Sequence, residues 1–195
     1  MPEIDYYILK RSLTGWEDEC GDTGIIRVYD GQCFLGLIDV LGHGKEAYDI
    51  AILSENYIAE NHRCNLVDIM NGLHAHLKGT RGAVATLCRL NLANGELNCV
   101  GIGNISTRLF STKSLHIIPR DGIIGYMITA PKQEQLKLYS GDILVLSSDG
   151  LRENFDCENY PNLLKGSAKK IATDFMDFLN KGNDDASCIV LRYGI

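Results

Sequence analysis

The sequence predicts an α+β fold containing antiparallel sheets, with enough strands for two stacked layers. Three observations carry this. Apolar residues recur with helical spacing in three stretches, two in mid-chain and one near the end. Many short β-rich runs are joined by hairpin signals such as Asp30-Gly31 and Asn94-Gly95. These strands are grouped rather than alternated one by one with helices, which is the α+β pattern. The 195 residues suit one domain, 1–195, because no internal repeat or linker divides them.

The elements follow in order. Residues 4–9 alternate weakly and read as an edge strand. Residues 14–24 are polar, with Glu17, Asp18, Glu19 and Asp22 close together and glycines marking turns. Residues 25–29 and 32–38 are strands on either side of the Asp30-Gly31 turn. A helix is expected over 45–60, with Ala47, Ile50, Ala51, Ser54, Tyr57 and Ile58 on one face. A second is expected over 66–77, with Asn65 as N-cap. His74 and His76 lie two apart on it, face different ways and read as surface residues. Strands are expected at 83–91, 96–102, 106–110 and 115–118. Two more, 133–139 and 142–147, meet at Ser140-Gly141, and the continuously apolar 143–146 reads as buried on both faces. A last helix at 167–179 and a closing strand at 186–192 complete the chain.

Composition narrows the function. With 45% hydrophobic and 23% charged residues, the chain is an ordinary globular one rather than a disordered one. A net charge of −6 argues against nucleic acid and anionic membrane as partners, since phosphate surfaces attract basic patches. No apolar run approaches the ~18 residues of a membrane span. The acidic, broken start does not read as a signal peptide, so a cytoplasmic location is expected. The seven cysteines include no Cys-x-x-Cys pair, which fits neither a zinc framework nor a disulfide scaffold. Cys33, Cys88, Cys99 and Cys188 lie in apolar runs and read as core residues.

The chemistry is carried by acids at strand ends. The apolar run 34–38 leads into Asp39 and then into a loop with Gly42 and Gly44. Burying a carboxylate is unfavourable unless cations or several donors meet it. Asp39 stands a full loop ahead of Lys45, too early to cap the helix there. Asp149 likewise ends the apolar strand at 142–147. Asp22 follows Cys20-Gly21, and Asp184, with Asp185 beside it, precedes the last strand. Each alone is ordinary turn chemistry. Together, on two stacked sheets, they make an oxygen-only donor set that selects Mg²⁺ or Mn²⁺ over zinc.

The motifs Cys-Gly-Asp at 20–22, Asp-Val-Leu-Gly-His-Gly at 39–44, Ser-Asp-Gly-Leu at 148–151 and Asp-Asp-Ala-Ser at 184–187 occur in this order. Between them lie Arg-Gly-Ala-Val-Ala-Thr at 81–86 and Val-Gly-Ile-Gly-Asn at 100–104. This series resembles the metal-dependent protein phosphatases of type 2C, in their bacterial SpoIIE-like branch, and among those the stand-alone stressosome phosphatases. The resemblance implies an α-β-β-α sandwich of two antiparallel sheets flanked by helices, with two Mn²⁺ or Mg²⁺ ions. It implies that Asp39 bridges the ions and that Asp149 and Asp184 hold one of them. The Val40 carbonyl would bind the other, with Asp22 contributing directly or through water. The implied reaction is in-line hydrolysis of phosphoserine or phosphothreonine by a metal-bridging water, without a phosphoenzyme. The implied substrates are phosphorylated STAS-domain proteins of the stressosome.

Three departures stand out. The animal and plant enzymes place histidine two residues after the aspartate, whereas His43 comes four after Asp39 and is not assigned as general acid. No arginine is assigned to grip phosphate. Arg11 stands far from Asp22, and Arg81 is the other candidate. The segment 122–131 is short, so any flap over the site is small, and a shallow site suits a folded protein substrate. A silent phosphoprotein-binding regulator of the same fold is the rival reading, and loss of an acid would be its mark. A nucleotide cradle on Gly42-His43-Gly44 needs Lys then Ser or Thr, which Lys45-Glu46 does not supply.

Overall fold

The computed structural model describes residues 3–112 and 114–194. Two five-stranded antiparallel sheets face each other. The first runs β1 (Ile4–Arg11), β12 (Ala186–Tyr193), β11 (Ile143–Ser147), β6 (Ser106–Phe110) and β7 (Leu115–Ile117). The second runs β10 (Glu134–Lys137), β5 (Glu96–Ile102), β4 (Ala83–Asn91), β3 (Gln32–Val40) and β2 (Asp22–Tyr29). A small hairpin, β8 (Gly122–Ile123) and β9 (Met127–Ile128), stands apart from both.

Burial explains the layers. Helices α1 (Lys45–Asn61) and α2 (Leu66–His76) cover the outer face of the second sheet, packing Ile50, Ile58, Met70 and Leu73 against Phe34, Ile38 and Leu87. Helix α3 (Ala168–Leu179) covers the first sheet, packing Ile171, Phe175 and Met176 against Val145, Cys188 and Val190. Leu35, Leu37, Leu144, Leu146, Ile189 and Leu191 fill the space between the sheets. Period-two alternation sends neighbouring strand residues to opposite sides, so β3 and β12 are apolar on both faces. Burial of each such side chain contributes about 1.5–3 kcal/mol. The order is α-β-β-α, as expected.

The expected caps and turns are present. Asn65 Oδ1 accepts from Val67 N at 2.9 Å and Ser167 Oγ from Lys170 N at 3.3 Å. Asp30 and Gly31 both have positive φ, 46° and 73°, which a two-residue hairpin requires. The edge strand at 4–9 extends to Arg11 and pairs with β12 along its length.

Three features differ from the sequence reading. The strand expected at 25–29 begins earlier, at Asp22, and the one expected at 32–38 ends later, at Val40, so Asp22 and Asp39 belong to β2 and β3. The Ser140-Gly141 turn joins its two strands as expected, but across the sheets rather than within one. It carries the chain from β10 in one sheet to β11 in the other, with Tyr139 N donating to Asp142 Oδ2 and Gly141 N to Tyr193 O. His74 is half-buried, and its Nδ1 accepts from Gly125 N at 3.1 Å, tying the small hairpin to α2.

Register decides where the loops lie. Asp22 pairs with Asp39, Val40 with Ala83, and Ala85 with Ile102, so these residues mark one end of the second sheet. Arg11 pairs with Ala186, and Ser147 with Cys188 and Ser106, marking one end of the first. The connections 12–21 and 103–105 join those two ends. The loops 12–21, 41–44, 103–105, 148–156 and 180–185 therefore share one end of the sandwich. At the other end the chain's beginning meets its close, with Ile4 opposite Tyr193 and Gly194 N donating to Glu3 O at 2.8 Å.

Candidate metal centre

The first carboxylates meet through strand pairing. Asp22 opens β2 and Asp39 stands directly across from it in β3. Like charges placed opposite on neighbouring strands repel, so this pair opposes folding unless something neutralises it. Asp22 is buried at 1% exposure, and its Oδ2 has no hydrogen-bond partner among the described residues. Burial pushes its carboxyl up to about 6, with the charges of Asp185 and Asp184 adding to the rise. The Ser148 and Ser187 hydroxyls nearby work the other way, although neither bonds Oδ2 with good geometry. Asp39 is half-buried and pushed up to about 9, first by burial and then by the charges of Asp22, Asp149 and Asp184. These four carboxylates thus lie within electrostatic reach at one end of the sandwich.

Each is set by its own local structure. Asp149 follows β11, and its Oδ2 accepts from Asn104 Nδ2 at 2.9 Å across the 103–105 turn. Its backbone oxygen accepts from Lys181 Nζ at 2.5 Å. Asp184 and Asp185 divide the work of their doublet. Asp185 is buried and clamps two backbone donors of loop 12–21, Leu13 N on Oδ1 and Gly21 N on Oδ2, each at 2.7 Å. Asp184 is exposed, and its Oδ1 accepts from Asp185 N at 2.9 Å. Gly150 lets these segments close up, since a Cβ there would lie 2.0 Å from the Asp185 carbonyl oxygen.

The loop after Val40 is held as tightly. Val40 N donates to Gly21 O, Leu41 N to Gly82 O, and Gly44 N to Glu19 O. A Cβ on Gly21 would sit 2.9 Å from the Gly42 carbonyl oxygen and 3.3 Å from that of Val40, so both oxygens face the segment leading into Asp22. His43 is exposed on this loop. Arg81 lies against Gly42 and pairs with Glu46 at 2.6 Å. Arg11 is engaged by Asp177 at 3.1 Å, on α3.

Asp22, Asp39, Asp149 and Asp184 are therefore brought together, and the Val40 carbonyl stands beside them. Sequence reasoning missed Asp185 as a backbone clamp and Lys181 as a donor to Asp149, and placed Asn104 in a motif without giving it a partner. The Asp-Asp doublet was the only visible trace of the clamp. Among the described residues, no three His, Cys, Asp or Glu side chains are placed so as to grip a metal ion as they stand. The carboxylates are gathered without being closed on a point. The donor set still fits a hard cation: it is all oxygen, its charge is uncompensated, and Asp22 Oδ2 is buried without a partner among the described residues.

Two stacked antiparallel sheets between helices, with acids gathered at one end, are the fold of solved PP2C-type phosphatase domains, that of SpoIIE from Bacillus subtilis among them. The chain belongs to the Stage II sporulation protein E (SpoIIE) family, whose match spans residues 29–194. It is similar to the phosphoserine phosphatase RsbX of Bacillus subtilis (strain 168), with 25% identity over 183 residues, covering 88% of this chain and 86% of that protein. Its fold is similar to a structure solved in work on the bacterial stressosome as a modular system adapted to control secondary messenger signaling. That likeness has a TM-score of 0.89 and 27% identity, covering 97% of this chain and 100% of the other. RsbX in complex with magnesium shares the fold at a TM-score of 0.85 and 20% identity, covering 97% of this chain and 95% of that one.

Proposed function

We propose that this phosphatase hydrolyses phosphoserine or phosphothreonine on phosphorylated STAS-domain proteins of a stressosome, in the cytoplasm, using two Mn²⁺ or Mg²⁺ ions. The observation that carries the reading is the Asp22–Asp39 cross-strand pair with Asp149 and Asp184 in reach. That concentration of negative charge calls for divalent cations. The similarity to RsbX and to a stressosome protein supports the substrate class.

Asp39 pairs across strands with Asp22 and feels the charges of Asp149 and Asp184, so it would hold both ions, the role the family resemblance gives it. Asp149 and Asp184 are assigned to one ion, and the Val40 carbonyl with Asp22 to the other. When bound, the ions supply Lewis acidity toward a phosphoryl oxygen and make water nucleophilic at neutral pH. Asn104 fixes the orientation of Asp149 by donating to Oδ2. The Asp185 clamp keeps Gly21, and with it Asp22, in register with Asp39. Arg81 lies against Gly42 of the glycine loop and can leave Glu46 for a substrate phosphate, since that pair is exposed to solvent.

The test is phosphate release from serine-phosphorylated STAS-domain proteins, with and without Mn²⁺. Release should need the ion and stop with EDTA. In Asp39→Asn it should fall at least about 10²-fold while the circular dichroism spectrum is kept, because cation stabilisation of the transition state is worth several kcal/mol. Wild-type-like release from that variant refutes the bridging role.

A further inference from the structure

Trp16 is the chain's one tryptophan, and it is 68% exposed. An aromatic of this size on the surface forfeits the burial that normally stabilises it. It does not sit on a loose tail. Its loop is tied to the carboxylate site at Leu13 and Gly21 by the two oxygens of Asp185, and again where Gly44 N donates to Glu19 O. Within the loop, Ser12 Oγ accepts from Thr14 N and Thr14 Oγ1 from Trp16 N. Exposed Leu13 lies on the same loop and exposed Leu41 on the neighbouring one, which runs on from Asp39. Glu17, Asp18 and Glu19 follow in a single 3₁₀ turn with no basic residue in it.

A rigid, presented aromatic loses little entropy on binding, which is the property of an interface hot spot. Continuity with the cleft selects the partner that brings a phosphate there. We propose that loop 12–19 docks the folded phosphoprotein substrate, with Trp16 as its anchor; this rests on the function proposed above. The partner surface has an apolar socket beside the phosphorylated residue and Lys or Arg at its margin, facing Glu17 to Glu19. A free phosphate ester or a short phosphopeptide has no such socket and gains nothing from the loop.

The experiment compares Trp16→Ala, Trp16→Phe and the wild type on three substrates with Mn²⁺: a serine-phosphorylated STAS-domain protein, a short phosphopeptide spanning its site, and p-nitrophenyl phosphate. Tyr139→Ala is the control, since Tyr139 is 64% exposed at the opposite end of the sandwich. For Trp16→Ala, kcat/KM on the intact protein should fall at least tenfold, mainly through KM. The other two substrates should change less than twofold, and the melting temperature should hold. Trp16→Phe should recover part of the loss. Because Trp16 is the sole tryptophan, its emission should shift to the blue when a tryptophan-free phosphoprotein binds in EDTA. An unchanged KM on the intact protein, or equal losses on all three substrates, overturns the docking role. Wild-type activity on p-nitrophenyl phosphate without activity on any STAS phosphoprotein overturns the substrate reading, and the docking proposal falls with it.

Discussion

Single side chains decide how this site is poised. Asn104 touches Asp149 through one bond, so Asn104→Ala leaves the carboxylate in place but free to turn. Loss of such an orienting partner should weaken cation affinity by about 10–100-fold, readable as a rightward shift in the Mn²⁺ dependence of phosphate release with the fold intact. The raised carboxyls make a second, opposite kind of prediction. In native metal-free protein Asp22 and Asp39 still hold protons at pH values where the unfolded chain has released them. Their contribution to stability is therefore full below the ordinary carboxylate range. It declines as pH rises, through about 6 for Asp22 and about 9 for Asp39. Cations replace those protons, so the gain in melting temperature on adding Mn²⁺ should grow across that window. A gain that shrinks toward alkaline pH contradicts the charge account.

Elements set what a residue can reach, and here the sequence spoke unevenly. Helices α1, α2 and α3 were legible to within a residue or two, because their apolar faces, Asn65 and Ser167 are local signals. Asp39 and Asp149 were legible as strand-end residues, and Asp22 and Asp184 as loop residues ahead of strands. Their partners were not: Asp185 reaches back 172 positions to Leu13, and Asn104 reaches forward 45 to Asp149. No periodicity encodes a contact at such separations. The Ser140-Gly141 turn was legible as a junction, but turn chemistry gives a change of direction and not which sheet receives the next strand. The glycine loop after β3 can be tested at this scale. Gly42 has a φ of +84°, and a Cβ there would lie 2.8 Å from Arg81 Nη1. Gly42→Ala should lower stability by about 1–2 kcal/mol for the left-handed backbone and displace Arg81, measured by urea denaturation and by KM for phosphate esters.

At the scale of the whole molecule, both sheets contribute acids to one site, so filling it fastens the two halves of the sandwich together. A cation at about 100 times its dissociation constant adds about 2.7 kcal/mol. For a domain of this size that corresponds to a rise of about 5–10 °C in the melting temperature, abolished by EDTA. Calorimetry showing no rise would place the ions outside the fold's cooperative unit. The meeting of Glu3 with Gly194, remote from the cleft, has a separate consequence. Glu3 and Gly194 are near enough for a short peptide tether, so the order of the strands along the polypeptide can be rearranged by circular permutation, with β1 stitched directly onto β12. Cargo grafted beside either residue would hang behind the catalyst and leave its working mouth unobstructed.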